Sequence, residues 1–404
     1  MVMGFKNYLT EKVNDTNRLK HLSHLEDLIF EEGAVGLSDA IEGLEIYVSI
    51  LHKKTGQAKI TTKWDGSPSI IIHNSGDDYW VASKSAFNAS PKLNRTDDDI
   101  EVNHGHAPGL VEKLKYALKY CKKLGINGTV QGDFLYTESD LQPATIDGVK
   151  YVTFKPNTIV YAVPVDSVLG RKILASKMGI IFHTSYSGSD PATMKATVGT
   201  YSVSKLKKTP EVFFDDALIK DGTADLSLSN EEQTKLSTIM ARLRSLQKVL
   251  PAKFLNTLAD HDQLAPLMAQ YNNANVRAGD YTSPSVVHGF IPFIEGKFAK
   301  EIEKVKTEKT KQAKATVRDE MTKFISDNHA KLAFAYEAYS LMVTAKMLIV
   351  SKLNKLATMK TFVQQGNSLK PTNPEGFVAV QDKRVVKLVD RLEFSRNNFL
   401  NKGE

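Results

Sequence analysis

The stretch Lys63-Trp64-Asp65-Gly66-Ser67 is preceded by Ala58-Lys59-Ile60-Thr61-Thr62 and followed by Pro68-Ser69-Ile70-Ile71-Ile72. The β-branched residues on both sides favour strands, and Asp-Gly-Ser-Pro favours a sharp turn between them. The lysine ammonium is therefore expected at the mouth of a sheet and not on a helix surface. Read alone, the stretch is equally a hairpin turn with a solvated lysine, because Lys-x-Asp-Gly fixes few positions.

Working outward towards the N-terminus, residues 18–32 place Leu19, Leu22, Leu25, Leu28 and Ile29 at helical steps, and Gly33 stops them. Ser38 begins a second helix, with Ile41, Leu44, Val48 and Leu51 on one face. His21 and His24 share a helical face and read as solvated residues before metal ligands. Beyond the motif, residues 70–73 and 79–84 read as partner strands around Gly76-Asp77-Asp78. Residues 88–103 are polar and acidic and read as a loop that continues into His104-Gly105-His106. An amphipathic helix is predicted over 110–124, ending at Gly125. Strands follow at 128–136, 151–156, 159–163 and 179–183, with Asp133 near the middle of the first. His183 reads as a core histidine before a pocket residue.

The pattern then changes. Residues 190–228 are mixed and polar. Ser229 with Glu232 is a capping-box signature, and Leu236, Ile239, Met240, Leu243, Leu246 and Leu250 mark one helical face that Pro251 ends. Helical periodicity resumes over 298–363, with a break near Ser326-Asp327-Asn328. Its lysine-rich part, 297–323, alternates with acidic residues and reads as a solvated, ion-paired face or as a nucleic-acid contact surface. Residues 375–380 and 385–389 read as a β-hairpin around the loop 381–384. Residues 1–57 are thus a helical scaffold and 58–200 a strand-rich core. Residues 201–370 are a mainly helical insertion, and 371–404 a hairpin that completes the core.

The 404 residues suffice for two or three domains, and 42% hydrophobic with 25% charged residues suits a packed globular protein. The single cysteine, Cys121, excludes an internal disulfide framework and a thiolate zinc cluster. No apolar run reaches bilayer length and the first residues lack a signal-peptide core, so a cytoplasmic protein without a membrane partner is expected. The net charge of +7 permits a polyanionic partner. No obligate protein partner is inferred.

The motif resembles the nucleophile motif of the covalent nucleotidyltransferases, the family of ATP- and NAD-dependent polynucleotide ligases and messenger-RNA capping enzymes. In that family the lysine of Lys-x-Asp-Gly attacks the α-phosphorus of ATP and holds AMP as a phosphoramidate. Lys63, Asp65 and Gly66 match it. Ser83-Lys84 lies where the family has Ser-Arg-x-Gly against the ribose, with lysine for arginine. Gln131-Gly132-Asp133-Phe134 matches the carboxylate strand, with Asp133 for the usual glutamate. Phe154, before Tyr161, is the candidate to stack on the base. Glu375-Gly376-Phe377-Val378 matches the motif whose glutamate organises the metal, and Lys387-Leu388-Val389 keeps the first lysine of Lys-x-Lys without the second. Lys383 or Arg384 would have to compensate.

The resemblance implies an α+β ligase-type nucleotidyltransferase domain of antiparallel sheets with a large helical insertion. The chain ends soon after Lys387, so no C-terminal OB-fold is expected, which disfavours capping. Some RNA ligases carry helical domains in that place, and the insertion would then clamp nucleic acid. The implied catalytic residues are Lys63, Asp65 and Lys387. ATP would be held by Lys63, Gly66, Ser83, Lys84, Asp133, Phe154, Glu375 and Lys387. Mg2+, or Mn2+, would be held by Glu375 and Asp133, because displacement at phosphorus builds charge that cations offset. The implied activity is ATP-dependent joining of 5′-phosphate and 3′-hydroxyl ends of DNA or RNA. The alternatives are adenylation of an end, protein or small molecule without joining, and a nucleotide-binding module that has lost the reaction. The chain also looks like a group of bacteriophage proteins sharing Lys-Trp-Asp-Gly-Ser-Pro, which would place it in the host cytoplasm.

Overall fold

The computed structural model describes residues 23–51, 59–188, 190–198, 201, 203–216, 228–280, 284–354, 360–365, 368–381 and 384–391. Helical turns at Leu25–Asp27 and Leu28–Glu31 lead into α1 (Gly33–Leu51). β1 (Lys59–Lys63) ends on the motif lysine, and β2 (Ser69–Asn74) and β3 (Tyr79–Ala82) form the hairpin after it. Next come α2 (Asp97–His104), α3 (Pro108–Cys121), β4 (Gly128–Thr137), β5 (Gln142–Ile146), β6 (Val149–Phe154) and β7 (Ile159–Pro164). They are followed by α4 (Val168–Ala175), β8 (Met178–Ser187), β9 (Lys195–Val198) and β10 (Val212–Asp216). A helical body follows, made of α5 (Asn230–Val249), α6 (Ala252–Asp260), α7 (Leu264–Ala278), α8 (Phe290–Glu303), α9 (Glu308–Asp327) and α10 (His329–Leu353). The described chain closes on β11 (Lys360–Gln365), β12 (Ser368–Pro371), β13 (Gly376–Gln381) and β14 (Arg384–Val389).

The strands form three sheets, ordered β1-β13-β14, β10-β8-β4-β2-β3 with β9 on β8, and β12-β11-β7-β6-β5. The pairings are antiparallel except β10 with β8. The fold is therefore mixed α and β with antiparallel sheets, as expected at that level. The middle sheet is drawn close where β4 crosses β8. A Cβ on Gly132 would stand 2.7 Å from the Ile181 carbonyl oxygen, beside a register shift at Gln131/Gly132.

The apolar core continues from helices into strands. Leu44 of α1, Leu243 of α5 and Ile349 of α10 share a cluster with Phe377, Val386 and Leu388 of the C-terminal hairpin. A second cluster sets Leu114 and Ala117 of α3 against Ile70, Ile72 and Phe134 on one face of the middle sheet. A third gathers Tyr136, Phe154 and Tyr161, with Trp64 packed on its edge.

Several readings change. The acidic stretch expected to be loop contains α2, whose start Thr96 and Asp99 cap reciprocally. Helical periodicity was expected up to 363, yet Val363 lies in β11, paired with Ile159 of β7. β10, β11 and β12 fall inside the 201–370 span and pair into the two larger sheets, so the helical body occupies 230–353. The C-terminal ladder reaches Gln381–Arg384, which the sequence assigned to the loop. By length and composition α10 passes the test for a membrane-spanning helix, against the expectation that no run would. It is a core helix, carrying the fully buried Lys346.

Candidate nucleotide site

The short sheet places the motif lysine. Lys63 pairs with Gly376, and Thr61 pairs with Val378, which pairs in turn with Lys387. Directly opposed residues share a face, as do residues two apart, so Lys63 and Lys387 lie on the same face. Gly376 fits this junction because a Cβ there would stand 2.2 Å from the Leu388 carbonyl oxygen. The residue before it, Glu375, forms an ion pair with Lys63 Nζ across 312 residues of sequence. Lys63 keeps 31% of its side chain exposed, and Glu375 8%. Burial raises the Glu375 pKa, and Lys63 only partly opposes the rise. Burial, then the charge of Lys63, push Lys387 down to about 8.

Asp65 and Gly66 shape the loop. The Asp65 carboxylate is buried and accepts hydrogen bonds from Asn157 Nδ2 (2.8 Å), Thr158 N–H (2.7 Å) and Ile159 N–H (2.8 Å). Its own N–H donates to Tyr161 Oη at 2.8 Å. Every one of these partners belongs to the β6–β7 turn or to β7, so Asp65 ties the lysine loop to the third sheet. Gly66 lies against β4, where a Cβ would meet the Asp133 Cβ at 2.5 Å. Ser67 N–H donates to the Phe134 carbonyl at 2.9 Å, and Lys113 Nζ of α3 donates to the Ser67 carbonyl at 2.9 Å.

Asp133 stands on β4 opposite Ser69, whose hydroxyl donates to it at 2.6 Å. His183 Nε2 is 3.4 Å from the same carboxylate oxygen. Burial would raise the Asp133 pKa, but His183, Ser69 and the charge of Lys63 together hold it below its usual value. Ser69 also accepts from Gln131 Nε2 at 3.3 Å, and Tyr186 Oη donates to Gln131 Oε1 at 2.5 Å. A polar chain therefore runs from Tyr186 to Asp133.

Lys63 of β1, Lys387 of β14, Asp133 of β4 and Glu375, just before β13, thus come together. Phe154 is placed otherwise. It is 1% exposed, with Tyr136 at 4.8 Å and Tyr161 at 5.4 Å between ring centroids. A base could stack on it only if one of these rings moved. Trp64 is half-buried and packs on Tyr161 at 5.0 Å. Ser83 accepts from Ser85 N–H and caps the turn Lys84–Phe87, on which Lys84 is exposed. This turn leaves β3 at the end where β2 begins with Ser69. Lys383 lies outside the described residues, as does the side chain of Arg384.

Sequence reasoning missed Ser69, Asn157 and Lys113. Ser69 had a readable signal, since it is the polar residue that opens an isoleucine strand beside the motif. Asn157 and Lys113 had none, because each acts across a tertiary contact. Among the described residues no group of three or more His, Cys, Asp or Glu side chains is arranged to hold a metal. Mg2+ takes one or two carboxylates together with nucleotide phosphates, and Asp133 and Glu375 are carboxylates of that type, bonded here to Ser69 and to Lys63.

The chain belongs to a family of unknown function, DUF6267, which it matches over residues 15–402. No curated protein and no solved structure matches it.

Proposed function

We propose that this chain is an ATP-dependent polynucleotide ligase of the covalent nucleotidyltransferase type, acting in the cytoplasm. The observation that carries the reading is the ion pair between Lys63 and Glu375, from two motifs 312 residues apart, with Lys387 and Asp133 within electrostatic reach. Sequence order alone does not require these residues to meet.

In the reaction, Lys63 Nζ attacks the α-phosphorus of ATP as a free amine. The Nζ–phosphorus bond forms, the α–β phosphoanhydride bond breaks, pyrophosphate leaves with the electron pair, and the Nζ proton is released. A 5′-phosphate oxygen then takes AMP from Lys63. A 3′-hydroxyl attacks that phosphate, and AMP departs. Lys387 offsets phosphate charge, and Asp65 holds the loop so that Nζ faces the reacting phosphorus. Bound Mg2+, held by Asp133 and Glu375, would neutralise charge on the phosphate oxygens.

Intact mass after incubation with ATP and Mg2+ tests the reading. A gain of one AMP, reversed by pyrophosphate and absent in Lys63→Ala, is expected. An adenylate that persists in Lys63→Ala would remove Lys63 as nucleophile. The second reading, adenylation without joining, draws on Val389. It occupies the second position of Lys-x-Lys, is 1% exposed and faces Gly376. The next cation, Arg391, is committed to Asp27 at 2.8 Å. Adenylated 5′ ends accumulating on nicked DNA and RNA, with no joined product, would favour it.

A further inference from the structure

Several lysines of the helical body face carboxylates. Lys311 pairs with Glu308, Lys314 with Glu301 and Lys323 with Asp327. The far end of α3 is different. Lys119, Lys122 and Lys123 are exposed there, beside Lys205, Lys207 and Lys208 of the neighbouring segment. That segment is fastened to the turn Lys122–Leu124 that follows α3 by the Lys207 N–H donating to the Leu124 carbonyl at 2.8 Å. Among the described residues Glu211 alone pairs with one of these six, at 2.6 Å from Lys123.

Tyrosines interleave with these lysines. Lys119 and Lys123 stand 5.2 Å and 5.5 Å from the Tyr120 ring centre, and Lys122 stands 5.5 Å from that of Tyr79. The Tyr116 and Tyr120 rings are 5.7 Å apart, and both are half-buried. Lys113, Tyr116, Tyr120 and Lys123 recur at helical steps of three and four, which sets them along one face. That face starts at Lys113, the residue that holds the Ser67 carbonyl of the nucleophile loop. It then runs about 15 Å along the helix.

We propose that this lysine–tyrosine face of α3 is the track for a single-stranded polynucleotide segment leading to the nucleotide site. The proposal rests on the ligase reading for its direction, not for the contact itself. Phosphates take the exposed ammoniums, and bases exchange with lysine on the tyrosine rings, which stack on any base. A basic surface lacking aromatic rings would serve any polyanion; the rings select nucleobases.

Fluorescence anisotropy of a labelled single-stranded oligonucleotide tests it. Lys119→Glu/Lys122→Glu/Lys123→Glu changes only exposed side chains and is expected to bind at least about tenfold more weakly, with a shallower salt dependence. Tyr116→Ala/Tyr120→Ala is expected to weaken binding about as much, and the corresponding phenylalanine pair to restore it. Unchanged affinity in the lysine variant, with the fold checked by circular dichroism, would overturn the proposal. So would wild-type binding to anionic phospholipid vesicles as tight as to the oligonucleotide. Wild-type protein that forms no adenylate but loses strand binding in the lysine variant would defeat the ligase reading and leave this surface standing. An adenylating wild type whose strand binding ignores these substitutions would do the reverse.

Discussion

Two lysine–carboxylate pairs each join residues more than 300 positions apart, and they behave oppositely. Lys346 Nζ of α10 meets Glu26 at 2.5 Å, and the two side chains are 1% and 0% exposed. Lys63 meets Glu375 with the lysine nearly a third exposed. Burial would raise both carboxylates. At Glu26 the charges of Lys346, His24 and Arg391 overcome it and hold the group at about 2. At Glu375 burial wins, and Asp65 adds repulsion. A sealed carboxylate with several cations is a fixed joint between the N-terminal turn and the helical body. A carboxylate whose ion pair, among the described residues, is to a partly solvated lysine is held loosely enough to be exchanged for a ligand. Access of the cation to solvent separates a site from a staple here.

The sharpest way to break this contrast is to cut the sealed pair. Lys346→Ala strands a buried carboxylate and is expected to cost about 3–5 kcal/mol in denaturant unfolding. Lys346→Met with Glu26→Leu removes both charges and is expected to recover most of that loss. A double variant as unstable as the single one would refute the joint. The pH dependence has a definite sign. The folded-state pKa of Glu26 lies below its ordinary 4.5, so its contribution is present above about 4.5 and fades as pH falls towards about 2. The wild-type protein should lose this Glu26-linked stability in that window, whereas Lys346→Ala, without the cation that depresses Glu26 most, should not, read from unfolding midpoints across pH 2–6.

Asp65 comes next. Asp65→Ala leaves the N–H groups of Thr158 and Ile159 without their acceptor and is expected to cost about 2–3 kcal/mol. Asp65→Asn should cost less. Its side-chain oxygen can still accept from both N–H groups, and Asn157 can turn its amide to face the new donor. Adenylation should fall in step with stability in both variants. Full adenylation in a destabilised Asp65→Ala would show that the loop needs no anchor to the third sheet.

Asp65 also marks how far the sequence could be read. Two apolar runs around a polar four-residue turn located the hairpin 376–389, and the Ser229–Glu232 pair located the start of α5. The motifs named Glu375, which pairs with Lys63, and equally Phe154, whose ring packs against Tyr136 and Tyr161 instead. The acidic run at 97–99 was harder, because the charge pattern of a helix first turn is also that of a loop; the Thr96 cap decides it. β10 to β12 were read inside the helical span because strands this short are stabilised by long-range partners, not by their own pattern. The role of Asp65 was legible as chemistry but not as contact, since its partners at 157–161 are chosen by the fold.

Lys63→Ala extends the comparison to a weaker interaction. The lysine is partly solvated and Glu375 can take up a proton, so the expected cost is about 1 kcal/mol, several-fold below Lys346→Ala. Adenylation is expected to disappear in the former while the fold remains. Equal costs for the two alanine variants would mean that exposure does not separate the pairs.

The smallest expected effect is on α9, where Lys311 and Lys323 pair with Glu308 and Asp327 along one exposed helix. Such pairs gain little in water, because solvent screens them and ordering two long side chains opposes the attraction. Lys311→Ala/Lys323→Ala should leave the unfolding midpoint unchanged. It should also weaken oligonucleotide binding less than about twofold, since neighbouring carboxylates already offset these charges locally. The same assay on the lysines of α3 is expected to show a large loss. If α9 instead carried the larger loss, the helical body would be the clamp that its lysine-rich sequence suggested, and local charge balance would be a poor guide to where a polyanion binds.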